Sequence, residues 1–207
     1  MSFLPNGSQA THGLPATSRR VRGALRRTLG TLVLLVAGCG EEESLATAPA
    51  GDGGAVCTSC GDCDEAVAVT GGVHVDDPID YPDLPPAGGD HASCWAPWGA
   101  HEDEVPDDRW VHNLEHGGVV LLYRCATPDC AAEAADLAEL RALVESSPQL
   151  LLTPSAELPT RFAAVAWGRR LRSDCLDPEA ARRFYESHAN GPGAPEPGIA
   201  AGPPSGC

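Results

Sequence analysis

Strand-like and helix-like hydrophobic patterns are concentrated in the C-terminal half of this 207-residue chain. GVVLLYRC (118–125) is continuously apolar and contains β-branched and aromatic residues, which predicts a buried strand. The next segment, 129–147, is rich in helix formers and carries a broad apolar stripe, which predicts an amphipathic helix. PQLLLTP (148–154) and TRFAAVAWGRRL (160–171) predict two further strands.

The last regular element is a helix over 177–189, with Asp177 as its N-cap and Pro178 at its first helical position. The order of elements is strand, helix, strand, strand, helix. A strand–helix–strand unit favours a parallel pair, and a following hairpin adds an antiparallel strand. We therefore expect an α+β fold, a small mixed sheet with helices packed on it. An irregular segment rich in Pro, Gly and Trp precedes it, and we expect Trp98 and Trp110 from this segment to cover the histidines discussed below.

The N-terminal region is typical of an export signal rather than of a folded domain. Residues 1–38 contain five arginines and no acidic residue, and a short apolar run ends in VAGC at Cys39. VAGC resembles the lipobox of bacterial lipoproteins. This resemblance implies cleavage before Cys39, a thioether-linked diacylglycerol on its sulfur with palmitate as an expected lipid, and a site in the cell envelope on the extracytoplasmic side of a membrane. The alternative is an ordinary secretory signal with an incidental cysteine. The predicted organisation is a signal peptide (1–38), a flexible tether (39–55), a compact domain (56–190) and a disordered tail (191–207).

The charge of the chain argues against binding to nucleic acid. Its formal net charge is −15, and removal of residues 1–38 leaves nine basic against 29 acidic residues, a net charge of −20. Such a surface repels phosphate backbones. The expected partner is the membrane, through the lipid, and the sequence does not specify a protein partner.

The cysteines favour disulfides, because exported chains fold in an oxidising compartment. Setting Cys39 aside leaves eight, which allow about 105 pairings, and the sequence does not choose among them. CTSCGDC (57–63) contains two overlapping C-x-x-C units that would suggest metal or redox chemistry in a cytosolic protein. The candidates inside the compact region are Cys94, Cys125, Cys130 and Cys175.

The most chemically suggestive stretch is VHNLEHGGVV (111–120), in which His112 and His116 lie four residues apart with Glu115 beside the second. In a helical turn such residues share one face, with Cβ atoms about 5–6 Å apart, and both imidazoles can bind one metal ion. In a strand they lie about 13 Å apart, at ~3.3 Å per residue. Gly117 and Gly118 end any helix, so a metal site requires a single turn, capped by Asp107 or Asp108.

We predict a metal site formed by His91, His112 and His116, with Glu115 as fourth ligand or as a hydrogen-bond partner of a ligand. His74 and His101 are alternative third ligands. Nitrogen ligands with a carboxylate suit Zn²⁺ or Cu²⁺. Asp90 or Glu115 would accept hydrogen bonds from the outer imidazole nitrogens.

Two other functions remain open for the same residues. One is a metal-dependent hydrolase that uses H-x-x-E-H, with Glu115 as the base, as in the inverted zinc peptidases. The other is a non-catalytic module in which the histidines and Glu115 form a buried hydrogen-bond network. The sequence assigns no catalytic residue.

Four separated segments resemble the DUF3105 family, bacterial proteins of unknown function, over about residues 73–196. The family pattern PP.SG.H maps onto Pro85, Pro86, Gly89 and His91, with Gly88 in place of the usual serine, and VHNLEHGGV is present without change. Ala100 stands where an aromatic residue usually follows WAPWG. The resemblance implies that His91, His112, Glu115 and His116 act as one group, and it implies no activity.

Overall fold

The structure of the protein is a computed structural model that describes residues 54–205 and Cys207. The predicted signal peptide, the lipidation site Cys39 and most of the predicted tether (39–55) lie outside the described residues. Within the described part, no helix is both long enough and apolar enough to cross a membrane.

The described residues form an α+β fold with two β-sheets and three helices, as predicted. The strands are β1 (Glu65–Ala66), β2 (His74–Val75), β3 (His91–Ala92), β4 (Gly99–Ala100), β5 (Val119–Tyr123), β6 (Leu150–Pro154), β7 (Phe162–Ala166) and β8 (Arg169–Ser173). The helices are α1 (Asp107–Glu115), α2 (Ala134–Ser146) and α3 (Pro178–His188).

The larger sheet is mixed, with the strand order β1-β8-β7-β5-β6-β4, and β2 pairs with β3 in a separate parallel pair. β5 and β6 are parallel neighbours joined through α2, which confirms the predicted strand–helix–strand unit. On its other edge β5 pairs with β7 in an antiparallel register, and β7 pairs with β8 in the same way.

The segment 160–171, predicted to be a single strand, is instead a hairpin that turns at Trp167-Gly168. Gly168 has a φ of +73°, a left-handed conformation that glycine adopts without steric cost. The apolar pattern hides this turn, because Trp167 continues the run of hydrophobic residues.

Strand β5 is buried on both faces, which explains why its sequence is continuously apolar. Val119 and Leu121 belong to a core shared with α2 and α3, whereas Val120 and Leu122 belong to a second core shared with α1. Trp110 is fully buried in this second core. The central strand therefore connects the helical layer to the α1 side, on which the candidate site lies.

The helix ends show one confirmed prediction and one difference. Asp177 caps α3, and its Oδ1 accepts a hydrogen bond of 2.9 Å from the Ala180 N–H. Helix α1 has nine residues rather than a single turn, and Pro106 occupies its N-cap position. Asp107 is therefore inside the first turn and accepts from the Trp110 indole N–H at 3.0 Å instead of capping the helix.

All eight cysteines of the described residues are paired in disulfides, including the four predicted candidates. The pairs are Cys57–Cys63, Cys60–Cys175, Cys94–Cys207 and Cys125–Cys130. A chain linked in this way is typical of an oxidising compartment outside the cytoplasm.

The segment after residue 190, predicted to be a disordered tail, lies against the domain. The indole N–H of Trp98 donates to the Ala201 carbonyl at 3.0 Å, and the Glu196 N–H donates to the Glu115 carbonyl at 2.9 Å. The Cys94–Cys207 disulfide fixes its end. The described residues of this Pro- and Gly-rich segment form no helix or strand, and the domain supplies hydrogen-bond partners for them.

Candidate metal centre

Helix α1 places two of the predicted ligands on one face. His112 and Glu115 are three residues apart and therefore lie side by side on the helix, and both are buried. The preceding irregular segment is attached to this helix through Asn113. Its Oδ1 accepts from the Ala96 N–H and its Nδ2 donates to the Ala96 carbonyl, both at 2.9 Å.

The short β2–β3 pair places two more histidines beside this face. His74 and His91 are register partners in the parallel pair, and the His91 N–H donates to the Val73 carbonyl at 3.1 Å. The Asp90 carboxylate accepts from the Gly72 N–H at 2.8 Å and from the Val73 N–H at 3.1 Å. These hydrogen bonds hold the pKa of Asp90 below its usual value and fix the backbone just before His74.

Three imidazoles converge on a single oxygen atom of Glu115. Its Oε2 lies 3.1 Å from Nε2 of His91, 3.6 Å from Nε2 of His74 and 3.7 Å from Nε2 of His112. One ligand atom from each of these four residues lies within 4.8 Å of all the others.

The tautomers of the two buried histidines follow from their outer nitrogens. Nδ1 of His91 lies 2.8 Å from the Gly89 carbonyl, and Nδ1 of His112 lies 2.8 Å from the Ala92 carbonyl. A carbonyl can only accept, so each Nδ1 carries a proton, and a ring that bears this proton alone presents its Nε2 lone pair to Glu115. Backbone carbonyls thus take the part that we predicted for Asp90 or Glu115.

The environment of His112 favours this neutral form. Burial lowers the pKa of His112 to about 4, with smaller contributions from the neighbouring histidines. At neutral pH its Nε2 is therefore an acceptor that faces the Oε2 of Glu115, another acceptor. This is the arrangement that a bound cation stabilises.

Aromatic rings shield the histidines, although they are not the two that we predicted. The Trp95 ring centroid lies 5.0 Å from that of His112 and 4.6 Å from that of His116, and Trp167 packs edge-on to His91 at 6.2 Å. Trp98 and Trp110 do pack near residues 112–116, as predicted, but Trp110 fills the core and the Trp98 ring lies against Gly118.

His116 stands beside this group of four rather than within it. Its ring is 4.6 Å from that of His112, and its Nδ1 lies 3.5 Å from the Glu196 carboxylate. Burial lowers the pKa of His116. The other candidate, His101, lies apart and its Nε2 donates to the Pro97 carbonyl at 2.8 Å.

The group of four offers three nitrogen ligands and one oxygen ligand, a donor set that fits Zn²⁺ or Cu²⁺. The His74 side chain is 53% exposed, so one side of the group is open to solvent and an ion can enter there. His74 was predicted as an alternative ligand. The sequence feature that favours His74 is the short extended segment in which it lies. Glu196 was not predicted, because it lies in a segment without a regular pattern.

A search of the curated proteins and of the solved structures finds no match to this chain. The chain does match the family described as "Protein of unknown function (DUF3105)" over residues 73–202. That range contains all four residues of the group, the adjacent His116 and Glu196, and most of the folded part. The chain that carries these converging histidines and Glu115 therefore belongs to the DUF3105 family.

Proposed function

We propose that this protein is an exported domain that binds a divalent transition metal ion, Zn²⁺ or Cu²⁺, through His74, His91, His112 and Glu115. One observation carries the proposal. Two buried imidazoles commit their Nδ1 protons to backbone carbonyls and direct their Nε2 lone pairs at one carboxylate oxygen. Two buried hydrogen-bond acceptors that face each other destabilise the fold unless a cation or a proton lies between them.

A purely structural hydrogen-bond network explains this geometry less well. Such a network pairs each acceptor with a donor, and here Nδ1 of His91 and Nδ1 of His112 already donate to backbone carbonyls rather than to Glu115. A bound metal ion accepts coordinate bonds from the same three imidazole nitrogens and the same Glu115 oxygen that otherwise face one another. The outer hydrogen bonds to Gly89 and Ala92 then orient the ligand rings.

The hydrolase alternative is less favoured by the same distances. A general base must be free to take a proton from a metal-bound water. Glu115 instead lies 3.1–3.7 Å from three imidazole nitrogens, which is a ligand position. His116, the second histidine of the peptidase-like motif, is not in the group of four.

Calorimetric titration of the metal-free protein with ZnCl₂ and CuCl₂ tests the proposal. We expect saturable binding by the wild type. His91→Ala and His112→Ala should each weaken the affinity by at least about 100-fold, more than the roughly tenfold to 100-fold typical of losing an outer hydrogen bond. His101→Ala is the matched control, since His101 is a histidine of the same segment that lies outside the group. Binding that is absent in the wild type, or unchanged in both ligand variants, would show that the group is a structural network.

We further propose that Cys39 anchors this domain to a membrane through a lipid. The support is the VAGC sequence at the end of a basic and apolar N-terminal segment, together with the disulfides of the folded part. Metabolic labelling with a radioactive fatty acid should mark the wild type and leave Cys39→Ala unlabelled. Equal labelling of both proteins would refute the anchor without affecting the metal proposal.

A further inference from the structure

A second group of possible ligands lies directly beside the first and centres on His116. The His116 side chain is 4% exposed, and within residues 54–205 neither of its ring nitrogens has a hydrogen-bond partner. Buried imidazoles normally have at least one such partner. The ring is also held in place, because it contacts Trp95 and His112 with centroid distances of 4.6 Å to each.

Two carboxylates face this imidazole. Oε2 of Glu196 lies 3.5 Å from Nδ1 of His116. One ligand atom from each of Glu115, His116 and Glu196 lies within 4.8 Å of the other two. Glu115 therefore belongs to both groups, and a carboxylate has two oxygens with which to serve two ions.

The backbone fixes Glu196 in this position. Its N–H donates to the carbonyl of Glu115 itself, at 2.9 Å, so the two acidic residues are joined through the main chain. Farther along, the contact between Trp98 and Ala201 and the Cys94–Cys207 disulfide hold the same segment. The Glu196 side chain is 58% exposed, which leaves a path from solvent to the buried imidazole.

We infer that His116, Glu196 and Glu115 bind a second divalent transition metal ion, with Glu115 shared between the two ions. This inference rests on the proposed function insofar as Glu115 also serves the first ion. One nitrogen and carboxylate oxygens suit Zn²⁺, with water completing the coordination on the open side. The second site has fewer nitrogen ligands than the first and is closer to solvent, so it binds more weakly and fills second.

The stoichiometry of Zn²⁺ binding tests this inference. Titration of metal-free protein with ZnCl₂ should give two equivalents for the wild type and one for Glu196→Gln. Glu186→Gln is the matched control, because Glu186 is exposed on α3, and it should retain two equivalents. Glu196→Gln keeps the backbone hydrogen bond to Glu115 and removes charge at an exposed position, so the variant should fold normally.

The possible failures are distinguishable. One equivalent that is lost in His91→Ala but unchanged in Glu196→Gln would overturn the second site and leave the proposed function intact. One equivalent that is lost in Glu196→Gln but unchanged in His91→Ala would support the second site and overturn the proposed function. An absence of Zn²⁺ binding would overturn both.

Electron paramagnetic resonance after loading with two equivalents of CuCl₂ tests the sharing of Glu115. Two Cu²⁺ ions on one carboxylate interact magnetically, so the wild type should show a coupled or weakened signal. Glu196→Gln with one equivalent should show an isolated Cu²⁺ spectrum. Two full, isolated signals in the wild type would overturn the shared-carboxylate arrangement.

Discussion

At the scale of single residues, Glu115 is the side chain on which the candidate centre depends. It is 7% exposed, and one of its oxygens faces nitrogens of three histidines. Among the described residues, the buried rings of His91 and His112 turn their donors away from it. Under the proposed function, this carboxylate lowers the stability of the metal-free fold and raises that of the metal-bound fold.

Glu115→Gln should separate these two effects. A glutamine amide can donate to the Nε2 lone pairs of His91 and His112, which the carboxylate cannot do. We expect the metal-free variant to be more stable than the metal-free wild type by about 1 kcal/mol, the usual value of one hydrogen bond. The stabilisation of the wild type by Zn²⁺ should largely disappear, because the amide is a poor metal ligand. Urea denaturation with and without ZnCl₂ measures both effects.

Glu186→Gln again serves as the control, since it makes the same chemical change on an exposed surface and should alter neither value. A metal-free Glu115→Gln protein that is several kcal/mol less stable than wild type would contradict the prediction. It would mean that the carboxylate already has donors and that the group is a satisfied network.

The individual ligands could be predicted from the sequence only in part. The spacing of His112 and Glu115 places both on one helix face by local geometry alone. The placement of the His112 ring depends instead on a hydrogen bond between its Nδ1 and the carbonyl of Ala92, which leaves Nε2 of His112 facing Glu115. A contact between residues so far apart in the chain leaves no local pattern.

At the scale of secondary structure, the centre depends on the abrupt change from α1 to β5. The helix ends at Glu115 and the strand begins at Val119. Gly117 adopts a φ of +83°, which permits this change of direction. A Cβ atom on Gly118 would lie 2.8 Å from the carbonyl oxygen of Asn113 and would overlap the ring of Trp98. Gly117 is thus required by its backbone conformation and Gly118 by close packing next to the site.

Gly118→Ala should therefore lower the free energy of unfolding by roughly 1–3 kcal/mol, the usual cost of overpacking a core. It should also weaken Zn²⁺ binding, because Trp98 and the end of α1 must move to accommodate the methyl group. Gly202→Ala is the control, since a Cβ atom there meets nothing within 4 Å and the stability should not change. Urea denaturation and calorimetry report the two quantities. A Gly118→Ala protein with wild-type stability would show that this junction tolerates repacking.

How well the sequence predicts each helix or strand depends on which residues that element buries. Strand β5 and helix α2 bury aliphatic residues, so their patterns are clear. Helix α1 buries His112, Asn113 and Glu115 together with its apolar residues, and this mixture hides its full length. Two of these polar residues, His112 and Glu115, belong to the candidate centre.

At the scale of the whole molecule, long-range disulfides join irregular segments of the chain to each other, and one of these segments directly follows β8. Cys60–Cys175 and Cys94–Cys207 close loops with sequence separations of 115 and 113 residues, whereas Cys125–Cys130 spans 5. Cys94 and Cys175 lie at disulfide distance from Cys207 and Cys60, and both of these partners lie in segments without regular structure. Composition indicates that cysteines pair in an exported chain and contains no information on which of them meet.

Removal of one long and one short disulfide should reveal how the C-terminal segment is held. By the chain-entropy relation, Cys94→Ser/Cys207→Ser should lower the free energy of unfolding by about 4–5 kcal/mol, and Cys125→Ser/Cys130→Ser by about 2 kcal/mol. The first variant releases the end of the segment that carries Glu196, so it should also lose the second equivalent of Zn²⁺ while it keeps the first. The second variant is the control, because its disulfide does not contact that segment, and it should keep both. Equal losses of stability in the two variants, with unchanged Zn²⁺ stoichiometry, would show that the other contacts of residues 191–205 suffice to hold Glu196 beside His116.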